Sequence, residues 1–324
     1  MNNIVPCRLF VKLISGINQN IFRFVLINRF RVSRLKNNDM NVSRTISGIR
    51  GDLTGLRPKH VGFVPTMGAL HEGHISLVEK AIELCPVAVV SIFVNPTQFN
   101  DKEDLNKYPR TEDADLDLLR KVIREDDAVF IPEVEEIYPS EDKRVFNFGN
   151  LEKVMEGLHR PGHFNGVAQV VTKLFDIVEP DYAFFGQKDF QQLAIVKELV
   201  RQTGSKVKII SCPIIREPDG LAMSSRNRLL EPEIRKNAGI IFRTLNEAAE
   251  LAKEREIPEI RKHVERSINS TSGFSLEYFE IVDDKQLLPV TDRSQFHKEN
   301  NYFCCIALRA GKIRLIDNME ISLL

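Results

Sequence analysis

Two histidines, His71 and His74, flank Gly73 in the run Phe63-Val-Pro-Thr-Met-Gly-Ala-Leu-His-Glu-Gly-His. The apolar stretch 60–64 ahead of them reads as a strand and Pro65 and Gly68 as a turn. Ile75, Leu77, Val78, Ala81 and Ile82 then read as the buried stripe of a helix. A strand passing through a glycine turn into a helix presents backbone N–H groups to an anion, phosphate above all. Imidazoles placed there can donate hydrogen bonds to a phosphoryl group as charge builds on it. The expected chemistry is that of a nucleotide. Zinc competes for a His pair, but the metalloprotease helix spells His-Glu-x-x-His, and here the second histidine comes one residue early.

Four more segments carry usable side chains. In 92–100, Asn95 and Gln98 offer carboxamides that both donate and accept, although Asn-Pro is also ordinary turn chemistry. In 160–167, Arg-Pro-Gly-His-Phe-Asn-Gly-Val, His163 and Asn165 either line a pocket or merely turn the chain. In 184–193, Gly186 lets backbone approach a ligand, and Lys188 stands at a helix start, where a cation is out of place unless an anion is present. Asp189 and Gln192 fit a capping box for the same helix. In 220–228, Ser224, Ser225 and Arg226 make an anion clamp suited to pyrophosphate.

The elements that must position these groups alternate. Strand-like runs at 61–64, 87–94, 128–131, 182–185 and 207–211 are separated by helical patterns at 73–85, 112–125, 166–178 and 189–203. Near-continuous Val, Ile and Phe in the strands predicts a Rossmann-like α/β domain, a doubly wound parallel sheet covered on both faces, over residues 40–214. Ligands in such folds sit at the carboxyl ends of strands, where Pro65, Asn95 and Gly186 fall. Beyond 215 the pattern becomes helices at 232–254 and 257–269, then strands at 276–282, 302–310 and 312–316 with a tight turn at Ala310-Gly311. This predicts a smaller α+β domain over 215–324.

Lysine plus arginine and aspartate plus glutamate both number 45, so no net field recruits nucleic acid or an anionic membrane. No apolar run approaches the roughly 20 residues of a membrane span. Cys7, Cys85, Cys212, Cys304 and Cys305 form no C-x-x-C pair and read as buried thiols in a reducing compartment. Residues 1–39 are different in kind: Arg8, Lys12, Arg23, Arg29, Arg31, Arg34 and Lys36 occur with no acidic residue before Asp39. That pattern suits a mitochondrial transit segment, or an extension upstream of an alternative start at Met40. The expected location is the cytoplasm, with the mitochondrion as the alternative.

Pro-Thr-Met-Gly-Ala-Leu-His-Glu-Gly-His, Phe-Val-Asn-Pro-Thr-Gln-Phe, Arg-Pro-Gly-His-Phe, Phe-Gly-Gln-Lys-Asp and Met-Ser-Ser-Arg-Asn, in this order and spacing, resemble the pantothenate synthetase (pantoate–β-alanine ligase) family over about residues 44–320. The resemblance implies a ligase that activates pantoate with ATP as a pantoyl adenylate and then joins it to β-alanine, releasing AMP and pyrophosphate. It implies an ATP segment of Met67, Gly68, Ala69, Leu70, His71, Glu72, Gly73 and His74, with His74 as proton donor and His71 on the phosphates. Gly186, Gln187, Lys188 and Asp189 form its second nucleotide segment, and Lys188 bridges phosphates. Ile215 lies by adenine, while Met223, Ser224, Ser225 and Arg226 hold the triphosphate. Gln98 and Gln192 bind pantoate, Gln98 also β-alanine, and Asn95 belongs to the same substrate site. Mg2+ travels with ATP rather than in a protein cage. The resemblance further implies a homodimer, and a second domain that closes as a lid. Gln187 replaces a Glu common in bacterial members, and Gln169 a Thr.

Overall fold

Every residue of Val-Ala-Val-Val-Ser-Ile, 87–92, is buried, as a strand enclosed on both faces must be. It belongs to a parallel sheet of β1 (Asn41–Ser43), β2 (Val61–Thr66), β3 (Val87–Ile92), β4 (Ala128–Phe130), β5 (Tyr182–Gly186) and β6 (Lys208–Cys212), in the order β1-β4-β3-β2-β5-β6. The computed structural model describes residues 40–56 and 60–322. The basic segment 1–39, its transit reading and Cys7 lie outside the described residues.

Alternation along each strand feeds two separate cores. Val61, Phe63, Val87, Val89, Phe130 and Phe185 face one side, packed by helices Ile46–Thr54, His163–Val178 and Phe190–Thr203. Val64, Ala88, Val90, Val129 and Phe184 face the other, against helix Glu72–Leu84. β2 hands the chain to β3 on one side, whereas β5 hands it to β6 on the other. The loops leaving β2 and β5 therefore diverge, and a crevice opens at their carboxyl ends.

A second, antiparallel sheet runs β7 (Phe274–Asp283), β8 (Tyr302–Ala310) and β9 (Ile313–Ile321) in that order. Helices Ile240–Leu251 and Ile257–Asn269 cover it through Leu245, Ile260, Val264, Ile281, Cys304, Ile306 and Leu308. Gly311, at φ +60°, makes the tight β8–β9 turn. Adjacent Cys304 and Cys305 point to opposite faces, one into this core and the other into a cluster with Met155, Val282, Leu287 and Phe303. Cys85, Cys212, Cys304 and Cys305 are all buried free thiols.

Four local expectations differ from the structure. β1, helix Ile46–Thr54 and helix Lys102–Lys107 lack a long apolar pattern and were not expected. The helical run 232–254 divides into Pro232–Asn237 and Ile240–Leu251, because Gly239 packs where a Cβ would lie 2.8 Å from the Asp219 carbonyl. Helix Glu112–Leu119 stops short of 125 because Asp127 turns back to take Arg124 and the Ala88 N–H. β9 runs past 316 to Ile321, since polar Asp317 and Asn318 are buried with partners rather than turning the chain.

Helix His163–Val178 lies so close to the turn Pro96–Gln98 that a Cβ on Gly166 would stand 2.3 Å from the Thr97 carbonyl oxygen. Gly166→Ala is expected to destabilise the protein by ~1–3 kcal/mol through overpacking. Urea unfolding checks it: an unchanged midpoint means the contact is looser than it stands here.

Candidate active site

The turn after β2 is built by a carboxylate. Gly68 and Ala69 adopt φ +77° and +50°, a conformation that costs a residue with a side chain about 1 kcal/mol or more. Buried Asp115 holds it, accepting from Ala69 N and Leu70 N at 2.8 Å each, with Thr111 Oγ1 donating to the same carboxylate at 3.0 Å. The glycine-turn N–H groups expected to face an anion are thus spent on Asp115. Gly68, Ala69 and Leu70 are buried behind the site, and Glu72 points to solvent, so none of these four lines the crevice.

What the turn delivers is the histidine pair. His71 is the N-cap of helix Glu72–Leu84 and His74 its third residue, joined in a reciprocal capping box. His71 Nδ1 accepts from Gly73 N at 3.1 Å, and His74 Nδ1 accepts from His71 N at 3.4 Å. Each ring then carries its proton on Nε2, leaving that N–H as the donor it offers. The rings lie 4.1 Å apart between centroids. Burial, then Lys188 and Arg228, lowers His71 to about 4; burial, then His71, Lys188 and Arg228, holds His74 well below its usual value. The pair is neutral at pH 7. Gly73 leaves room for it, since a Cβ there would lie 2.9 Å from the His71 ring.

Across the crevice, Gln98 ends the loop after β3. Asn95 is 1 % exposed. It donates to Gln98 Oε1 at 3.2 Å and to Gly166 O at 3.1 Å, and its Oδ1 accepts from Tyr138 OH at 2.9 Å and from Thr97. That carboxamide is spent on the protein, so it orients Gln98 instead of reaching a ligand. His163 Nδ1 meets the Gln98 carbonyl at 2.7 Å and its Nε2 meets Arg160 Nη1 at 3.2 Å. The ring therefore donates to the carbonyl and accepts from the guanidinium. Burial, then Arg160, lowers His163 to about 4. Asn165 faces away, bonding Phe146 N and Arg144 O, and Gln169 secures the same segment through the Asp142 and Arg144 carbonyls.

From the β5 side come Gly186, Lys188, Asp189 and Gln192. Asp189 occupies the N-cap position of helix Phe190–Thr203 without making a side-chain cap bond, so the capping explanation for it fails. Its carboxylate sits 3.9 Å from Lys188 Nζ. Gln191, not Gln192, is the structural carboxamide, bonding Leu151 O, Val154 O and Glu156 N. Gln187 stays out of the crevice wall, its carbonyl accepting from Asn318 at 2.9 Å.

The loop 223–226 closes the remaining side. Ser225 Oγ donates to Ala69 O at 3.0 Å, Ser224 caps the turn Ser225–Leu229, and Arg226 pairs with Asp104 at 2.9 Å above the Tyr108 ring. Together these segments enclose a cavity of about 230 Å³, walled by Met67, His71, Gly73, His74, Asn95, Gln98, Lys188, Asp189, Gln192, Ile215, Met223, Ser224, Ser225 and Arg226 among others. Sequence reading missed Asp115, Tyr108, Arg160 and Asn318. Asp115 and Asn318 carry no motif, and only their burial as polar groups reveals them. Arg160 opens the run 160–167, where a cation directly ahead of a Pro-Gly turn and His163 was the available signal.

A sequence model of the pantoate-beta-alanine ligase family matches residues 41–320. A pantothenate synthetase of Bacteroides thetaiotaomicron is 51% identical over 283 residues, 87% of this chain and 99% of that protein. The crystal structure of pantothenate synthetase from Thermus thermophilus superposes with a TM-score of 0.79 at 41% identity, covering 87% of this chain and 99% of its own. A pantoate-beta-alanine ligase from Francisella tularensis, complexed with beta-gamma ATP and beta-alanine, gives 0.73 at 32% identity, with 88% and 99% covered.

Because His71, His74 and His163 are held neutral in the fold, the unfolded chain binds more protons below its ordinary imidazole value. Their contribution to stability is complete above about pH 6.5 and is lost as pH falls toward 4, by at most ~3 kcal/mol per ring for His71 and His163. Unfolding free energy measured from pH 7 to 4.5 should drop, and His71→Asn, which keeps a capping side chain, should flatten the slope. An equal slope in the variant removes His71 from the account.

Proposed function

The chain belongs to the pantoate-beta-alanine ligase family, and on that premise we propose how its residues divide the reaction between them. The protein is a ligase that condenses pantoate with β-alanine to pantothenate, with ATP as co-substrate, through a pantoyl adenylate. A pantoate carboxylate oxygen attacks the α-phosphorus while the bond to pyrophosphate breaks. The β-alanine amine then attacks the acyl carbon, and the C–O bond to AMP breaks. Free carboxylate is a poor acyl donor; as a mixed anhydride it acquires a good leaving group.

The observation that carries the assignment of roles is the convergence of His71, His74, Lys188, Arg226, Gln98 and Gln192 on one cavity. We read His71 and His74 Nε2–H as donors to the phosphoryl oxygens, and Lys188 as the charge bridging phosphates. Neutral imidazoles offer their Nε2–H groups to the ATP oxygens, and bound phosphate raises the proton affinity of His74, which supports its proton-donor role once nucleotide is in place. Met67, Gly186 and Ile215 flank the nucleoside, while Met223, Ser224, Ser225 and Arg226 take the triphosphate, Arg226 exchanging Asp104 for phosphate. Gln98 and Gln192 hold pantoate, and Asn95 positions Gln98. Residues 215–324 form the cover, tied down by Asn318 on the Gln187 and Lys188 carbonyls at 2.9 and 3.0 Å.

Among the described residues no group of three or more His, Cys, Asp or Glu forms a metal cage. The donor set that fits Mg2+ is the ATP oxygens plus Asp189, whose carboxylate faces the cavity uncapped. The ion supplies charge neutralisation on the phosphates. We also read the protein as a homodimer and as cytoplasmic. Exposed Val145 and Leu158 are apolar surface a second copy can cover, and the relatives compared are bacterial, which lends the mitochondrial alternative no support. No helix among the described residues is long and apolar enough to cross a membrane.

Pyrophosphate–ATP isotope exchange that requires pantoate but not β-alanine tests the intermediate, and β-alanine-dependent release of AMP tests the second step. ADP or a nucleotidylated product overturns the reading. His74→Ala and Lys188→Ala are each expected to cut exchange by ~100-fold or more, the scale of losing one transition-state donor. Near-normal exchange in both would remove their proposed roles.

A further inference from the structure

Arg160 is a half-buried cation, its side chain 20 % exposed, that the phosphate chemistry does not use. It follows the short helix Met155–His159 and lines both the main cavity and a smaller one of about 40 Å³ toward the second sheet. The two cavities share Arg160, His163, Lys188, Asp189 and Gln192 as wall. Its acidic neighbour, Glu156, is 6 % exposed and already engaged elsewhere. Arg314 takes both Glu156 oxygens at 2.7 Å and Tyr278 OH donates at 2.9 Å, while Arg160 stands at 3.7 Å. Among the described residues, the one hydrogen bond of the Arg160 side chain is that to His163 Nε2, at 3.2 Å. Burial, outweighing Glu156, lowers the proton affinity of the guanidinium, as in a cation short of counter-charge. Arg226, Arg314 and Asp104 are the other charges that act on it.

A guanidinium in this position wants a carboxylate, which it can bind through two parallel N–H bonds. Of the reaction's anions, the phosphates face Lys188, the histidine pair and Arg226, and the pantoate carboxylate is consumed. The β-alanine carboxylate remains, and it must lie a few ångströms from an amine directed at the acyl carbon beside Gln98. Arg160 is linked to Gln98 through His163.

We propose that Arg160 binds the carboxylate of the amine substrate, and that Glu156, fixed by Arg314 of β9 and Tyr278 of β7, is the residue that positions Arg160. This rests on the function proposed above and adds to it the specificity of the second step. It assigns the second sheet a part in choosing the substrate, through a carboxylate it clamps from beneath.

Four purified variants test it, Arg160→Gln, Arg160→Lys, Glu156→Gln and the double Glu156→Gln/Arg160→Gln, each assayed for pantoate-dependent pyrophosphate–ATP exchange and for amide formation with β-alanine or with n-propylamine, which lacks the carboxylate. In Arg160→Gln the KM for β-alanine should rise on the order of 100-fold, with exchange reduced less than about tenfold. Preference for β-alanine over propylamine should collapse, because the group that rejects the uncharged analogue has gone. Arg160→Lys, which retains charge in the same cavity, should recover part of both. Glu156→Gln should raise the β-alanine KM with little change in kcat, and the double variant Glu156→Gln/Arg160→Gln should be no worse in KM than Arg160→Gln alone. Exchange falling as far as amide formation in both Arg160 variants would place Arg160 on ATP or pantoate and overturn the proposal. An unchanged preference for β-alanine would overturn it as well. Absence of pantoate-dependent exchange in the unaltered protein would instead sink the parent reading.

Discussion

The turn after β2 passes through two left-handed residues in succession, and one of them, Ala69, has a side chain that disfavours the conformation. It persists because Asp115 accepts from the Ala69 and Leu70 N–H groups in a buried setting, where a charged acceptor is worth more than it is in water. The helix that follows begins at His71, so the carboxylate sets where the capping box forms and which way its rings face. Ser225 reaches the same turn from the opposite loop, bonding the Ala69 carbonyl. Both halves of the proposed phosphate site are thereby referred to one piece of backbone.

That arrangement changes how the histidines act. Their spacing of three residues suggested ligands for a metal or for phosphate, and in the structure it is first the spacing of an N-cap and its third helical residue. Each Nδ1 is spent on the capping box and each Nε2–H is left to donate. Desolvation keeps both rings neutral, so positive charge in the crevice is supplied by Lys188, Arg226 and Arg160. Fixed neutral donors combined with a few cations suit a ligand whose charge is spread over several phosphoryl oxygens.

The second sheet is more than an appendage. Phe303 lies 4.4 Å from Phe190 between ring centroids, Arg314 grips Glu156 under Arg160, and Asn318 holds the backbone of Gln187 and Lys188. Asn318 leaves its own Oδ1 without a partner, and Asp317 stays buried against Arg216 despite the cost of desolvation. Polar groups kept at such cost between two sheets fix their relation more tightly than apolar packing alone would.

The parallel strands, the principal helices and the positions of the motifs at strand exits were legible in the sequence. Period-two and 3.6-residue patterns are local, and near-continuous Val and Ile in a strand leaves only the sheet interior for it. His71, His74, Gln98, Lys188, Gln192 and Arg226 were likewise recognisable from residue type and order, and the structure brings them to one cavity. Short elements such as β1 escaped notice because three residues carry no period. Which polar side chains face the cavity and which are spent on the protein was decided by tertiary structure alone. Asn95 and Gln98, or Gln191 and Gln192, are equivalent as letters. Their fates differ because hydrogen-bond partners come from segments distant in the chain, Gly166 and Tyr138 for Asn95, Leu151 and Val154 for Gln191. A linear pattern records what a residue can bond to; only the folded backbone determines what lies within reach.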